Sequence, residues 1–332
     1  MSLYLHALGH FHPENEITNR FLEELDIGTS DDWIMERVGI RSRRTVMPLD
    51  YIRETRNRNP VEASEVALYS HAETGRLATE MAMERAGISR DDIGWVIAGS
   101  SRPDTLSPAD ACNVAEALGI EAPAFDMNSA CTSMFVAIHT LAAMRPEAVP
   151  EYVLIVTPET LTMSVDYADR SASVLWGDGT TAAILSTKVP SAIEILGTEL
   201  ESSPAGREKV VVPLGRHFFQ EGRTVQMFAI KKTIRLLRRL QASFGKDPER
   251  SFRFVGHQAN LRMLEAVCEQ CDIAEARHHS NVANYGNTGA AGAAAVISME
   301  WDQWGPGDDI AVVGVGSGLT WSSFLLRFGE AP

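Results

Sequence analysis

Long apolar runs are absent from this 332-residue chain. No stretch reaches the ~20 apolar residues needed to span a bilayer as a helix, so a membrane-spanning helix is not expected. Cysteine is scarce, with four residues: Cys112, Cys131, Cys268 and Cys271. In a chain this long that is no disulfide framework, and a reducing, cytoplasmic setting is the simpler expectation. Positive charge is also short. Lys and Arg number 30 against 44 Asp and Glu, a net charge of −14. That argues against general nucleic-acid binding, which needs broad positive potential. The opening Met1-Ser2-Leu3-Tyr4-Leu5-His6 lacks the basic segment and apolar run of a signal peptide, so none is expected. Metal-ligand patterns are missing as well. Cys268 and Cys271 form a Cys-x-x-Cys with His278 and His279 downstream. The pair falls on a predicted amphipathic helix and has no second pair, so both read as structural thiols and no metal is expected.

The apolar share of 45% and charged share of 22% are ordinary for a soluble globular protein, and the length suits one large domain or two fused ones. Short apolar segments alternate with amphipathic ones, which predicts an α/β protein. Predicted strands include Ile93–Ala98, Tyr152–Pro158, Phe254–Gly256 and Ile310–Val315. Predicted helices include 17–25, 31–38, 67–86, 132–144, 228–244, 261–271 and 290–301. A connector at Thr187-Lys188-Val189-Pro190 divides the chain into 1–186 and 187–332. Residues 46–66 read as a surface excursion, an inserted lid or partner surface or, more plainly, a loop: their second part, 53–60, is charged, ends in Pro60 and shows no clean period.

Three segments carry chemistry. Cys131 follows the small residues Ser129-Ala130 at a predicted helix start, where amide donors and the helix dipole would lower a thiol pKa. Such a thiolate attacks a thioester and holds the acyl group. His257 directly follows a predicted strand, and Asn287 lies in the turn Tyr285-Gly286-Asn287-Thr288-Gly289. Together an imidazole and a carboxamide can donate to one thioester oxygen and stabilise an enolate. The closing Val315-Gly316-Ser317-Gly318 run is no dinucleotide loop, because no βαβ unit follows it.

These pieces, in this order and at these separations, resemble the β-ketoacyl-acyl-carrier-protein synthase III family of the thiolase superfamily. The resemblance implies a five-layer αβαβα fold of two similar halves. It implies an acyltransferase that loads Cys131 and then performs a Claisen condensation assisted by His257 and Asn287. Backbone NH groups of Cys131 and Ser317 would form the oxyanion hole. No tightly bound cofactor is implied; the substrates are thioesters of coenzyme A or carrier-bound phosphopantetheine. Thr29-Ser30-Asp31-Asp32-Trp33-Ile34 through Arg37 is close to the family's nucleotide-contact signature, so Trp33, Arg37 and Arg170 are expected at the adenine end and Asn260 at the pantetheine. Partners implied are acyl-CoA, an acyl carrier protein and a second copy of the chain, with residues 102–109 crossing the dimer interface. Arg262 matches a carrier-docking arginine. Lys231, Arg235, Arg238 and Arg239 form a cationic stripe on a predicted helix, a surface suited to an acidic carrier. A solvated face is the plainer reading of that stripe.

Several positions depart from the family pattern: the 46–66 excursion, Met227 where a docking lysine is usual, Ser171 beside Arg170, and a Val-Gly-Ser-Gly turn in place of three glycines. They resemble the stand-alone ketosynthases of secondary metabolism, which make pyrones, dialkylresorcinols or olefins. Housekeeping fatty-acid initiation, and acyl transfer to an alcohol or amine without carbon–carbon bond formation, are the alternatives. In some relatives a glutamate of the 102–109 loop serves the partner's pocket. Here Ser107 stands in its place, and Asp104 is the carboxylate on that loop.

Overall fold

The computed structural model describes residues 2–332. Nine strands pair in the order Ser251–Gly256, Asp308–Gly316, Thr320–Phe328, Ile193–Ser202, Leu3–Phe11, Gly179–Ser186, Tyr152–Glu159, Ile93–Ala98, Ala124–Asp126. The five strands before residue 187 form one run and the four after residue 192 a second; among the described residues the runs pair with each other where Leu3 and Tyr4 meet Ile195 and Glu194. Each run repeats one connectivity. Its first strand pairs antiparallel with its last, the last with the one before, and that one runs parallel to the next. The first run ends at Ser186 and the second begins at Ile193.

Helices Ser133–Ala143 and Gly292–Met299 pack against strands of both runs and form the middle layer. Their sequences explain this. Met134, Phe135, Ala137, Ile138 and Leu141 are buried on the first, and Gly292 through Ser298 are all buried on the second. The second helix, made of small and apolar residues on nearly every side, has to sit inside, and the first turns a broad apolar face inward. Helices His71–Ala86 and Asp110–Leu118 cover the first run from outside; Gly222–Phe244 and Leu261–Gln270 cover the second. The result is the αβαβα layering that the resemblance implies.

Local chemistry sets the helix ends. Ser70 and Glu73 form a reciprocal capping box at the start of His71–Ala86, and Gly87 closes it in the left-handed conformation. The helix therefore starts four residues later than periodicity predicts. The helix predicted over 17–25 is shorter too. Asn15–Thr18 pairs as a strand with Ser42–Thr45, and Thr18 caps a helix over Asn19–Glu24. Arg43 on that strand pair is fully buried, donating to Asn19 Oδ1 and to the Val174 carbonyl.

Residues 46–66 are not the expected surface loop. They fold into helices Leu49–Thr55 and Glu62–Val66. Val46, Met47, Ile52 and Ala63 are fully buried in a cluster with Ile17, Leu22 and Ile34. Asn57, also fully buried, donates to the Met163 and Val165 carbonyls and ties the excursion to the body. The charges of Arg53, Glu54 and Arg56 mask this apolar spacing when the sequence is read alone.

Candidate active site

Cys131, His257 and Asn287 come from three separate segments and line one cavity of about 70 Å³. Gly316, the last residue of the strand Asp308–Gly316, and Ser317 in the turn after it close the cavity. Cys131 sits in a single 3-10 turn, Ala130–Thr132, just before the central helix Ser133–Ala143. Ala130 takes φ +47, a conformation that costs a non-glycine residue energy. Hydrogen bonds hold the turn: the Ala130 amide donates to Asn128 Oδ1, and the Ser133 hydroxyl donates to the Ala130 carbonyl. Gly316 lets the last strands press onto this turn, because a Cβ there would lie 3.3 Å from Cys131 Cβ.

His257 follows the strand Ser251–Gly256, and its amide donates to the Val313 carbonyl at 2.8 Å. Its ring is buried, and desolvation pushes its pKa down to about 4. The imidazole is therefore neutral at physiological pH, as an enolate-oxygen donor requires. Asn287 is oriented by its own turn. Its Oδ1 accepts the Gly289 amide at 3.0 Å, which leaves the Nδ2 group as the free end and identifies it as a donor.

The thiol departs from expectation. Burial, followed by the nearby Glu159 carboxylate, pushes Cys131 up to about 12 instead of lowering it. These outweigh the Ser101 hydrogen bond and a backbone hydrogen bond, which pull the other way. Among the described residues the thiol has one side-chain hydrogen-bond partner, Ser101 Oγ at 3.9 Å. Ser101 and Glu159 were not evident from the sequence. The one signal available for Glu159 is its position directly after the predicted strand Tyr152–Pro158.

Two larger clefts open from the cavity. One, about 420 Å³, shares Val225, Ala229, Ala259 and Asn287 with it and runs out past Asn260 to Trp33 and Arg37. Arg37 and Arg170 place their guanidinium carbons 4.7 and 5.0 Å from the Trp33 ring centre. An aromatic face flanked by two cations suits a purine and its phosphates. Asn260 caps the helix Leu261–Gln270 through its Oδ1, which accepts the Met263 amide. The other cleft, also about 420 Å³, holds Cys131, Ser101, Leu161, Val210–Val212, Phe218 and Ser317.

The basic residues lie elsewhere. Lys231, Arg235 and Arg239 are exposed on the helix Gly222–Phe244, whose first turns line the channel to Trp33. Arg235 pairs with Glu201 at 2.8 Å, and Arg239 pairs with Glu199 and Glu201. Part of the stripe is thus neutralised within the chain. Arg262 donates to the Met35 carbonyl and pairs with Glu265. Asp104 does not project away from its own chain: it accepts the His71 amide at 2.6 Å. Cys268 and Cys271 are buried, and burial raises both thiols. Among the described residues no cluster of His, Cys, Asp or Glu is placed to hold a metal, and no helix is long and apolar enough to cross a membrane.

Fold and site together define an acyl-transferring condensing enzyme of the thiolase type. Residues 125–204 match the family model "3-oxoacyl-[acyl-carrier-protein (ACP)] synthase III", and residues 243–328 match its C-terminal model. The chain is 30% identical to β-ketoacyl-[acyl-carrier-protein] synthase III of Oceanobacillus iheyensis over 99% of its own length and 100% of that protein's. It is 31% identical to the same enzyme of Gloeobacter violaceus, covering 96% of each chain. The crystal structure of 3-oxoacyl-[acyl-carrier-protein] synthase III from Aquifex aeolicus superimposes with a TM-score of 0.86 at 26% identity, over 98% of this chain and 100% of that one. The chain belongs to the β-ketoacyl-acyl-carrier-protein synthase III family.

Proposed function

We propose that Cys131 takes an acyl group from an acyl thioester and passes it to the enolate of a second acyl or malonyl thioester. The observation that carries this reading is the shared cavity of Cys131, His257 and Asn287, which continues into the channel ending at Trp33 and Arg37. A pantetheine arm entering along Asn260 would bring its thioester to the thiol. The Cys131 and Ser317 amides would receive the tetrahedral oxyanion. His257 and Asn287 would receive the enolate oxygen. The acyl chain would lie in the cleft toward Phe218 and Val212.

The acyl cleft supports a specialised ketosynthase of fatty-acid-derived or polyketide secondary metabolism over housekeeping initiation. It shares Ser101 and Val212 with a further cavity of about 180 Å³, lined by Pro60, Val61 and Ser64 of the 46–66 excursion. That gives room beyond what a two-carbon primer fills. The deciding experiment is mass spectrometry of products after incubation with acyl-CoA of graded length, with and without malonyl-carrier protein. A β-ketoacyl product from medium or long chains is expected. Preference for acetyl-CoA would move the assignment to fatty-acid initiation, and an ester or amide alone would remove condensation.

We also propose a homodimer. Leu106, at the tip of the 102–109 loop, is 77% exposed, an unusual position for a large apolar side chain unless something covers it. A monomer by sedimentation velocity at micromolar concentration would refute it. For the carrier protein, Lys231, Arg235, Arg239 and Arg262 form the proposed docking face. Charge reversal at Arg235 and Arg239 is expected to raise KM for carrier-bound substrate severalfold at low salt, with acyl-CoA loading unchanged. Their pairing with Glu199 and Glu201 limits the effect, and salt screening should erase it. Equal kinetics at low salt would return the stripe to a solvated face.

A further inference from the structure

Loading Cys131 poses a problem that His257 and Asn287 do not solve. A thiol pushed up to about 12 holds its proton at neutral pH, and an acyl group cannot be accepted until that proton leaves. Neither His257 nor Asn287 is hydrogen-bonded to the sulfur. Ser101 is, and its hydroxyl donates onward to Glu159 Oε1 at 2.8 Å. With its proton committed to Glu159, the Ser101 oxygen is left to accept from the thiol.

Glu159 is 1% exposed at the end of the strand Tyr152–Glu159. It accepts the Ser101 amide on both oxygens, at 3.1 and 3.0 Å, and the Ala290 amide on Oε1 at 2.9 Å. Burial pushes its carboxyl up to about 7, against the pull of those hydrogen bonds and of His71. It can therefore hold or release a proton near neutrality. His71 faces it from the helix His71–Ala86. Burial opposes charge on His71, but its bond to Asp110 and the carboxylates of Asp104, Asp110 and Glu159 outweigh that and raise it. From the turn after Asn287 comes the Ala290 amide. Cys131 completes the set of titratable groups around the carboxyl.

We propose that Ser101 and Glu159 form a proton relay serving Cys131, a deepening of the acyl-transfer reading above. In loading, the S–H bond breaks and its proton passes to Ser101 Oγ as the Ser101 hydroxyl proton passes to Glu159 Oε1. The sulfur bonds to the thioester carbonyl carbon. The bond from that carbon to the leaving thiol breaks, and the expelled thiolate takes a proton from solvent. When condensation later breaks the acyl–Cys131 bond, the Cys131 thiolate recovers its proton from Glu159 through Ser101. One proton goes out and returns in each turnover. Ser101 touches the reacting sulfur. Glu159 acts through it as a positioning residue, and its bond to the Ala290 amide also fixes the turn that carries Asn287.

Alkylation of Cys131 by iodoacetamide tests the relay without any acyl substrate. Cys112, the exposed cysteine, is replaced by serine throughout so that the label reports the site. The alkylation rate is expected to rise with pH through an inflection near 7, as Glu159 ionises. Ser101→Ala and Glu159→Gln should lose the inflection and fall about 10²-fold at pH 8, the lower end of general-base effects. Ser101→Thr should restore both. The opposing idea, that Glu159 is only a negative charge beside the thiol, predicts the reverse sign: Glu159→Gln alkylates faster than the parent. That result, or a parental profile in folded Ser101→Ala, overturns the relay. If Glu159→Gln fails to fold by thermal melting, the Ser101→Ala and Ser101→Thr pair decides, because both keep the carboxylate and its amide bonds. A relay profile in a protein that accepts no acyl-CoA would leave the relay standing and sink acyl transfer. An acyl adduct forming equally fast on Ser101→Ala would do the opposite.

Discussion

Cys131→Ala is expected to take up no acyl group from acyl-CoA, while the parent protein gains the mass of one acyl chain. The expectation follows from where the four thiols stand. Cys268 and Cys271 are buried in the cluster between two outer helices, with Cys268 pushed up to about 12, and neither lines the cleft system. Cys112 is exposed, with its thiol on the Ala124 carbonyl, and could be acylated nonspecifically at high thioester concentration. Peptide mapping separates that background from the site. Only Cys131 combines a strained turn, a cavity shared with His257 and Asn287, and a channel long enough for a pantetheine arm. Loading should also accelerate from pH 6 to pH 9. The sign follows from the proposed relay: Glu159, pushed up to about 7 by burial, is protonated below that value and cannot take the thiol proton, and it ionises above it. An adduct of equal yield in Cys131→Ala, mapped outside Cys112, would remove Cys131 from the mechanism.

That Cys131, His257 and Asn287 share one cavity was legible in the sequence because each sits at the end of a regular element. Cys131 precedes a largely apolar helix, His257 follows a strand, and Asn287 lies in a turn between Gly286 and Gly289. Those patterns survive in one dimension. The duplication came from resemblance, not periodicity, because equivalent strands of the two runs share connectivity without sharing a sequence pattern. The relay beneath Cys131 was hidden for a different reason. Ser101, Glu159 and Ala290 come from distant parts of the chain, and only the parallel pairing of Ile93–Ala98 with Tyr152–Glu159 brings the first two together. The thiol's environment was misjudged because a sequence shows the helix that follows a cysteine but not the desolvation around it. The 46–66 segment was misjudged because its buried face is built from residues whose neighbours are charged.

His257→Ala and Asn287→Ala should load normally and then condense roughly 10²–10³-fold more slowly, the scale of a lost oxyanion donor. The division of labour rests on geometry. Neither side chain is hydrogen-bonded to Cys131 Sγ, so neither is required to deprotonate it. Asn287 has its oxygen tied to the Gly289 amide and presents its amino group to the cavity. His257 is held neutral by burial, with a pKa near 4, so its role as a donor should persist across pH 5–9 with no histidine inflection in the condensation profile. Asn287→Asp should be worse than Asn287→Ala, since a carboxylate there replaces a donor with a negative charge facing an enolate. Because both donors are assigned to one oxygen, the double variant should lose less than the product of the single losses. Rapid-quench measurement of one loading event and one condensation event separates the steps. If loading fails first in folded His257→Ala, the imidazole is the base for Cys131, and both this assignment and the relay through Ser101 are wrong.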